Sequence, residues 1–529
     1  MATTTRRRTV TRATTVQAAP AQEGDVRIQI LNSFMTCPHR DTDRLKEIHD
    51  QIRKQDPLFY AHLACWYQKK GEIRDHNEVF ASMLITDPYT ENREVGLALF
   101  RNHAPFMKSR ILGFIKGKKV KLREKTGKKT KIGKKMVDEV RITEKQAGLK
   151  TTIPTSFRTD VEKYLRWLET DDKRFDGVVL KNRGDLKDLY AKLRIKPSER
   201  AQSILFDKKI PEGSTLNVLK QISEAKPDEA AAMIVKHHIP YTVAVGLVDK
   251  ITPSILVALI NSMSPMEVIN NMASLEEKGA MANDQTKALI QEKLKKAETT
   301  KNVATLKSKT AVKTGRIKDE AVIAQLDKVA DMQVKKSGVI SSDIAVFVDR
   351  SGSMHEAIKV GKNVAALISG ASVSNLYVVA FDTIPMEVKA KGKTLTDWEN
   401  AFKPIHPGGS TSMGCALDFL MRKGVIVETI VVITDEGENA TPLFPNVYEA
   451  YAKKFNVRPG VVVLHVGGGG DTTFTNNLKH AKIDFDTYSP QGQDYYGLPG
   501  LIPLLAKTSK LDLVMEIMDT PLLERKDFK

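Results

Sequence analysis

The chain is poor in cysteine, in aromatic residues and in long apolar runs, and each shortage removes a class of protein. Only Cys37, Cys65 and Cys415 occur in 529 residues. Three thiols at wide spacing build no disulfide framework, and without a CxxC pair there is no structural zinc ribbon. Such usage suits an intracellular, reducing compartment. The longest charge-free run, 363–381, holds Asn363, Ser369, Gly370, Ser372, Ser374 and Asn375; it reads as a helix followed by a strand, with no membrane span. Aromatic residues make up 6%, and no RNP-like aromatic motif is present. The N-terminus is Thr/Ala-rich with Arg6, Arg7, Arg8 and Arg12 but has no apolar h-region of a secretory signal. Its acid-free composition is also that of a mitochondrial presequence, and it is read as a flexible basic tail over 1–24.

What the chain has is charge, unevenly placed. Its formal net charge is +18. Residues 341–529 hold 19 Lys and Arg against 22 Asp and Glu, a net of −3, which leaves 63 against 42, a net of +21, on residues 1–340. That asymmetry points to a polyanionic partner for the first two thirds and a different task for the last third. The length suffices for two to four domains with sizeable cores.

Residues 25–110 read as helical, because segments such as DRLKEIHDQIRK and PLFYAHLACWYQKK place apolar residues at three-to-four spacing. Residues 116–135 then carry ten Lys and one Arg against one Glu, with three glycines. This density predicts a mobile cationic loop able to follow a phosphate backbone, with Lys116, Lys118, Lys119, Lys121, Arg123, Lys128, Lys129, Lys131, Lys134 and Lys135 as RNA-contacting candidates. From Pro197 a regular beat follows, with prolines at 197, 211, 227, 240, 253 and 265. Thr252-Pro253 offers an N-cap followed by Pro at the first helical position, and Ser264-Pro265-Met266-Glu267 is a capping-box pattern. Short capped helices in series predict an all-α array resembling HEAT-type repeats over 25–338.

After the charged stretch 296–337 the texture changes. Strand-like runs at 343–349, 376–382, 429–435 and 460–466 alternate with helical stretches at 355–369, 412–423 and 445–455, which predicts a Rossmann-like α/β domain over 339–529 with a parallel-rich sheet. Ligands of such sheets gather at the carboxyl ends of strands. Three ends carry oxygen donors: Asp349-Arg350-Ser351-Gly352-Ser353, the Gly408-Gly409-Ser410-Thr411 loop, and Thr434-Asp435. Asp349, Ser351, Ser353, Thr411 and Asp435 suit one hard divalent cation, Mg²⁺ before Mn²⁺ or Ca²⁺, with a position left open for a partner's carboxylate.

These residues, in their order and spacing, and Gly414-x-Ala416-Leu417 resemble the metal-ion-dependent adhesion site of von Willebrand factor A domains. The one departure is Glu436, where that family has Gly after Asp. A basic helical-repeat domain followed by such a domain resembles the Ro autoantigen family, particularly its bacterial members, whose TROVE domain is a ring of HEAT-like helices. One local match is Asp188–Pro197, similar to a family segment ending Ser-His-Leu/Ile-Lys-Pro; Arg194 stands where that family has an RNA-contacting His, while Lys196 and Pro197 agree. The resemblance implies a non-enzymatic, cytoplasmic, monomeric ribonucleoprotein component. It would bind noncoding Y RNA and single-stranded 3′ ends of misfolded RNA, and work in RNA quality control beside a 3′-to-5′ exoribonuclease such as polynucleotide phosphorylase. Arg194 and Lys196 join the candidate RNA contacts on that basis. The alternative from another class is an adaptor subunit of a chelatase-like ATPase assembly.

Catalytic motifs are weak. The glycine run 467–470 lacks GK[ST] and is no P-loop. Cys415 has no His/Asp partners at useful spacing and reads as packing. His355 reads as a solvent-facing residue at a helix start, and the His62/Cys65 pair as packing. Two-metal nuclease chemistry needs more carboxylates than these loops offer.

Overall fold

Proline at a first helical position, after a residue that can cap, marks where many of the helices begin. The computed structural model describes residues 43–71, 73–132, 135–248, 250–300, 308, 311, 317, 319–467, 471–489, 498–506 and 510–528; the basic tail and Lys134 lie outside them. The first helices are Asp43–Gln55, Pro57–Lys70, Arg74–Ile85, Thr90–Asn102 and Pro105–Lys116. Asp56 caps the second by accepting the Phe59 N–H at 2.9 Å. They surround a core in which Phe59, Tyr60, Phe80, Phe100 and Phe114 are fully buried, and helices Thr155–Glu169 and Asp172–Leu193 complete it.

The proline beat is real structure. Pro227, Pro253 and Pro265 open helices at their first turn, and Pro240 immediately precedes Tyr241–Ala244. Thr252 caps through the Ile255 N–H at 3.4 Å. The Ser264–Glu267 capping box forms reciprocally, with the Glu267 N–H on the Ser264 hydroxyl at 3.3 Å and the Ser264 N–H on Glu267 Oε2 at 2.9 Å. These short helices share a second core running from Val218 to Val329, in which each apolar face is covered by its neighbours. Of the charged stretch 296–337, residues 296–299 end helix Asp284–Thr299 and residues 320–337 form helix Glu320–Ser337.

The lysine-rich segment departs from expectation. Instead of a mobile loop, its backbone forms an antiparallel hairpin, β1 (Lys118–Ile132) with β2 (Lys135–Ala147). The charge density overlies an alternation of strand-forming residues, Val120, Leu122, Thr130 and Ile132, and then Val137, Val140, Ile142 and Thr143. Cross-strand pairing satisfies the backbone that a loop would leave to water.

The last third is a six-stranded sheet in the order β5-β4-β3-β6-β7-β8. Its strands are β3 (Ile344–Asp349), β4 (Leu376–Phe381), β5 (Pro385–Val388), β6 (Thr429–Thr434), β7 (Gly460–His465) and β8 (Phe485–Tyr488). All pairings are parallel except β4 with β5. The four strands expected from apolar runs are the sheet's centre; β5 and β8, with four residues each, are too short to show as runs. Helices 355–371 and 395–401 cover one face, and 413–422, 444–455 and 473–480 the other.

The C-terminal segment leaves the sheet. Leu501, Ile502 and Leu505 pack in the α/β core, but Leu513, Val514 and Ile517 of helix Lys510–Met518 belong to the first helical core. His62 Nδ1 lies 2.7 Å from the Thr520 carbonyl, Trp66 donates to Glu516 at 2.9 Å, and the Leu523 N–H points to Cys65 Sγ at 3.4 Å. The His62/Cys65 pair is therefore packing, as its spacing suggested, and what it packs is the end of the chain. Arg525 pairs with Glu94 at 2.6 Å, and Phe528 sits against Tyr164, Trp167 and Arg101. On the other side helix 320–337 joins the α/β unit, with Val334 in its core and Asp327 accepting from Thr396 at 2.6 Å. Leu180 packs against both helical cores, so contacts run from the first core to the second, through the α/β unit and back to the first.

Candidate metal centre and nucleic-acid interface

In the sheet, β3 continues to β4 on one side while β6 continues to β7 on the other, so the order of winding reverses between the parallel strands β3 and β6. In open α/β sheets ligands gather outside the carboxyl ends of the strands at such a point. Asp349 ends β3 and is fully buried. Its Oδ1 accepts the Ser351 N–H at 2.8 Å and its Oδ2 the Thr434 hydroxyl at 2.8 Å. Ser353 donates to Asp435 Oδ2 at 3.3 Å, which brings the first and third loops together. The second loop is tied in through its backbone, Gly408 N–H to the Arg350 carbonyl at 2.7 Å and Gly352 N–H to the Gly409 carbonyl at 3.3 Å. Thr411 is buried and locked by Asn439, whose Oδ1 takes the Thr411 N–H at 2.9 Å and whose N–H returns to the Thr411 carbonyl at 3.1 Å. Asp349, Ser351, Ser353, Thr411 and Asp435 therefore lie on three interlocked loops.

Burial pushes the Asp349 carboxyl up to about 6, and the Asp435 charge works in the same direction against the hydrogen bonds from Ser351 and Thr434. A buried carboxylate whose ionisation a second carboxylate makes costlier, with hydroxyls beside them, fits a hard divalent cation. Among the described residues no group of three or more His, Cys, Asp or Glu side chains assembles as a metal cluster. The candidate donors are two acids and three hydroxyls.

Glu436 has a structural account. It adopts φ +73°, the left-handed region that favours glycine. Its buried carboxylate turns to His465 Nδ1 at 3.0 Å and to the Thr475 hydroxyl, and its N–H donates to Thr434 Oγ1 at 3.0 Å. The side chain is satisfied there, in bonds separate from the five-donor set. Two glycines are demanded by close approach: a Cβ on Gly409, at φ +79°, would lie 3.0 Å from Asp382 Oδ2, and one on Gly414 would lie 2.5 Å from the Pro442 carbonyl.

Sequence reading missed the supports. Thr434 orients Asp349, and Asn439 locks Thr411. Asp382 binds Arg350 at 2.7 Å while taking the Ile384 N–H at 2.7 Å. Asp382 closes the apolar run LYVVAFD, which was a legible signal; Asn439 carried none. His355 is exposed at its helix start. Cys415 is buried, its thiol pushed up to about 12 by burial, in keeping with packing.

The basic candidates converge in part. Lys116 ends helix 105–116, is exposed, and donates to the Lys192 carbonyl at 3.0 Å, next to the end of helix 172–193. Arg194 caps that helix in the left-handed conformation, φ +53°, with its side chain exposed. Exposed Lys196 follows, its carbonyl held by Arg166 at 2.8 Å. Residues 78 positions apart thus share one cationic surface at the root of the hairpin, whose β1 carries Lys118, Lys119, Lys121, Arg123, Lys128, Lys129 and Lys131, while Lys135 opens β2.

Fold and site together define a helical-repeat array joined to an α/β unit of the von Willebrand factor A kind. Among solved structures the chain is similar to the crystal structure of the Deinococcus radiodurans Ro (Rsr) protein, at 12% identity and TM-score 0.53, over 93% of this chain and 95% of that one. Proximal thread matrix protein 1 from the mussel byssus matches at 18% identity and TM-score 0.24, over 35% of this chain and 50% of that one. No protein-family model and no curated protein matches the sequence. The likeness to the Ro protein is one of fold, along nearly the whole of both chains. Among the described residues no helix is long and apolar enough to cross a membrane.

Proposed function

We propose that this chain is an RNA-binding scaffold of the Ro type. The observation that carries the reading is the conjunction of that fold with a cationic surface assembled from Lys116, Arg194 and Lys196 beside the basic hairpin. Its binding is dominated by phosphate contacts and counterion release, with little base reading. The ligands in this reading are Y-like noncoding RNA and single-stranded 3′ ends, the setting is RNA quality control in the cytoplasm beside a 3′-to-5′ exoribonuclease, and the chain itself is not an enzyme.

The same proposal gives Asp349, Ser351, Ser353, Thr411 and Asp435 a Mg²⁺ ion, with Mn²⁺ or Ca²⁺ as substitutes. When bound, the ion supplies an open coordination position for a partner protein's carboxylate. Thr434 and the Ser351 N–H hold Asp349 in place for it, and Ser353 holds Asp435.

Anisotropy titrations of a structured small RNA over 50–300 mM salt test the central claim. A slope equivalent to roughly six to ten phosphates is expected; a slope near zero sinks it.

A further inference from the structure

The hairpin register sorts the cations in a way the sequence reading did not. Residues opposite each other on antiparallel strands share a face, and alternate residues along a strand return to it. Lys119, Lys121, Arg123 and Lys125 pair with Gln146, Glu144, Ile142 and Val140. Beyond the irregularity after Lys125, Lys129 and Lys131 pair with Asp138 and Met136. Since Val140, Asp138 and Met136 alternate along β2, all six pairs belong to one face. Every paired β1 position on that face is therefore Lys or Arg: 119, 121, 123, 125, 129 and 131. The other face has Lys118, Lys135, Arg141 and Lys145 spread over both strands among Val120, Leu122, Ile132 and Val137.

Alternate strand residues recur about every 6.7 Å, a spacing comparable with successive phosphates of an extended polynucleotide. Directly across from the row, at the interstrand distance of about 4.8 Å, Ile142, Val140 and Met136 stand opposite Arg123, Lys125 and Lys131, and Gln146, Glu144 and Asp138 opposite Lys119, Lys121 and Lys129, so the face keeps an excess of four positive charges. A cationic row beside a strand that offers Met136, Val140 and Ile142 on the same face suits a ligand with charges along one edge and unstacked bases along the other. A duplex hides its bases and keeps its own pitch, while a single strand can follow the strong twist of a two-stranded ribbon.

We propose that this face of the hairpin binds one strand of RNA lengthwise, phosphates along the β1 row and bases toward the Met136–Val140–Ile142 row. The assignment deepens the RNA-binding reading above and rests on it. Recognition rests on phosphate contacts and on stacking against the apolar positions Met136, Val140 and Ile142, both of which tolerate any base.

Two variants of the full chain, each losing four positive charges, test arrangement against charge. One changes Lys119, Lys121, Lys125 and Lys129 to Gln; the other changes Lys118, Lys135, Arg141 and Lys145 to Gln. The probe is a labelled 20-nucleotide oligouridylate, with a blunt 20-base-pair RNA duplex in parallel. The row variant should lower the salt slope for the oligouridylate by about 3, since each phosphate contact contributes about 0.7, and weaken binding about 100-fold at 150 mM salt. The other-face variant should stay within about threefold of the parent, and Arg at the four row positions should restore binding. Equal losses in the two Gln variants overturn the row, because charge count alone would then govern, while leaving the RNA-binding reading standing. Equal losses on the duplex overturn the single-strand assignment. If the parent protein binds neither probe with any salt dependence, the RNA-binding reading itself fails.

Discussion

At the scale of single residues, the metal loops and the buried histidines make separate demands. Asp349 is ionised at neutral pH against its burial, so a cation should stabilise the parent protein. Asp349→Ala should abolish the rise in melting temperature on adding Mg²⁺ while leaving RNA affinity within about threefold, read by thermal melts and anisotropy. A loss of RNA binding as large as that of the row variant would refute the division of labour between the two parts. His49 is fully buried, hydrogen-bonded to Tyr60 at 2.9 Å and to His76 at 3.1 Å, and burial followed by the His76 charge holds it well below its ordinary value. The folded state therefore binds fewer protons than the unfolded one below pH 6.5. Its contribution is complete above that pH and is lost as the pH falls. His49→Phe should flatten the acid limb of stability against pH by up to about 1.4 kcal/mol per pH unit, measured by urea unfolding between pH 7 and 4.5; an unchanged slope counts against the assignment.

At the scale of elements, short helices depend on their caps because they have few internal hydrogen bonds to lose. Pro265–Asn270 has six residues and a complete capping box. Ser264→Ala should cost about 1 kcal/mol, seen as a lower urea midpoint with an unchanged m-value. The helix starts were legible because the cap is local: Ser264, Pro265 and Glu267 lie within four residues. The hairpin was not, because ten lysines in twenty residues read as solvated chain, and nothing local says that 118 pairs with 147. At the candidate metal centre the five proposed donors stood out through strand ends and spacing. Their supports did not, since Thr411 and Asn439 are 28 positions apart and meet only when two loops fold over one another.

At the scale of the molecule, residues 510–528 fasten the α/β unit to the first helices. Removing them should destabilise the protein by on the order of 5 kcal/mol, from exposing the apolar surface of the first core that Leu513, Val514 and Ile517 cover, and should shift Trp66 fluorescence as its bond to Glu516 is lost. A truncated chain with the parent's urea midpoint would show that the fastening contributes nothing to stability.

Sequence alone determined the order of the two textures, the charge asymmetry of +21 against −3, the proline-capped helices and the loops bearing Asp349, Ser351, Ser353, Thr411 and Asp435. Each of these is written in neighbouring residues or in sums over a segment. Tertiary structure decided the rest: that Lys116 meets the helix end beside Arg194, that the lysines form a row, that Glu436 is held by His465 and Thr475, and that the chain's end returns to helix 57–70. The physical reason is contact between residues far apart in the chain. Such contacts depend on which surfaces are left uncovered once local elements have formed, and no single segment of the sequence records that.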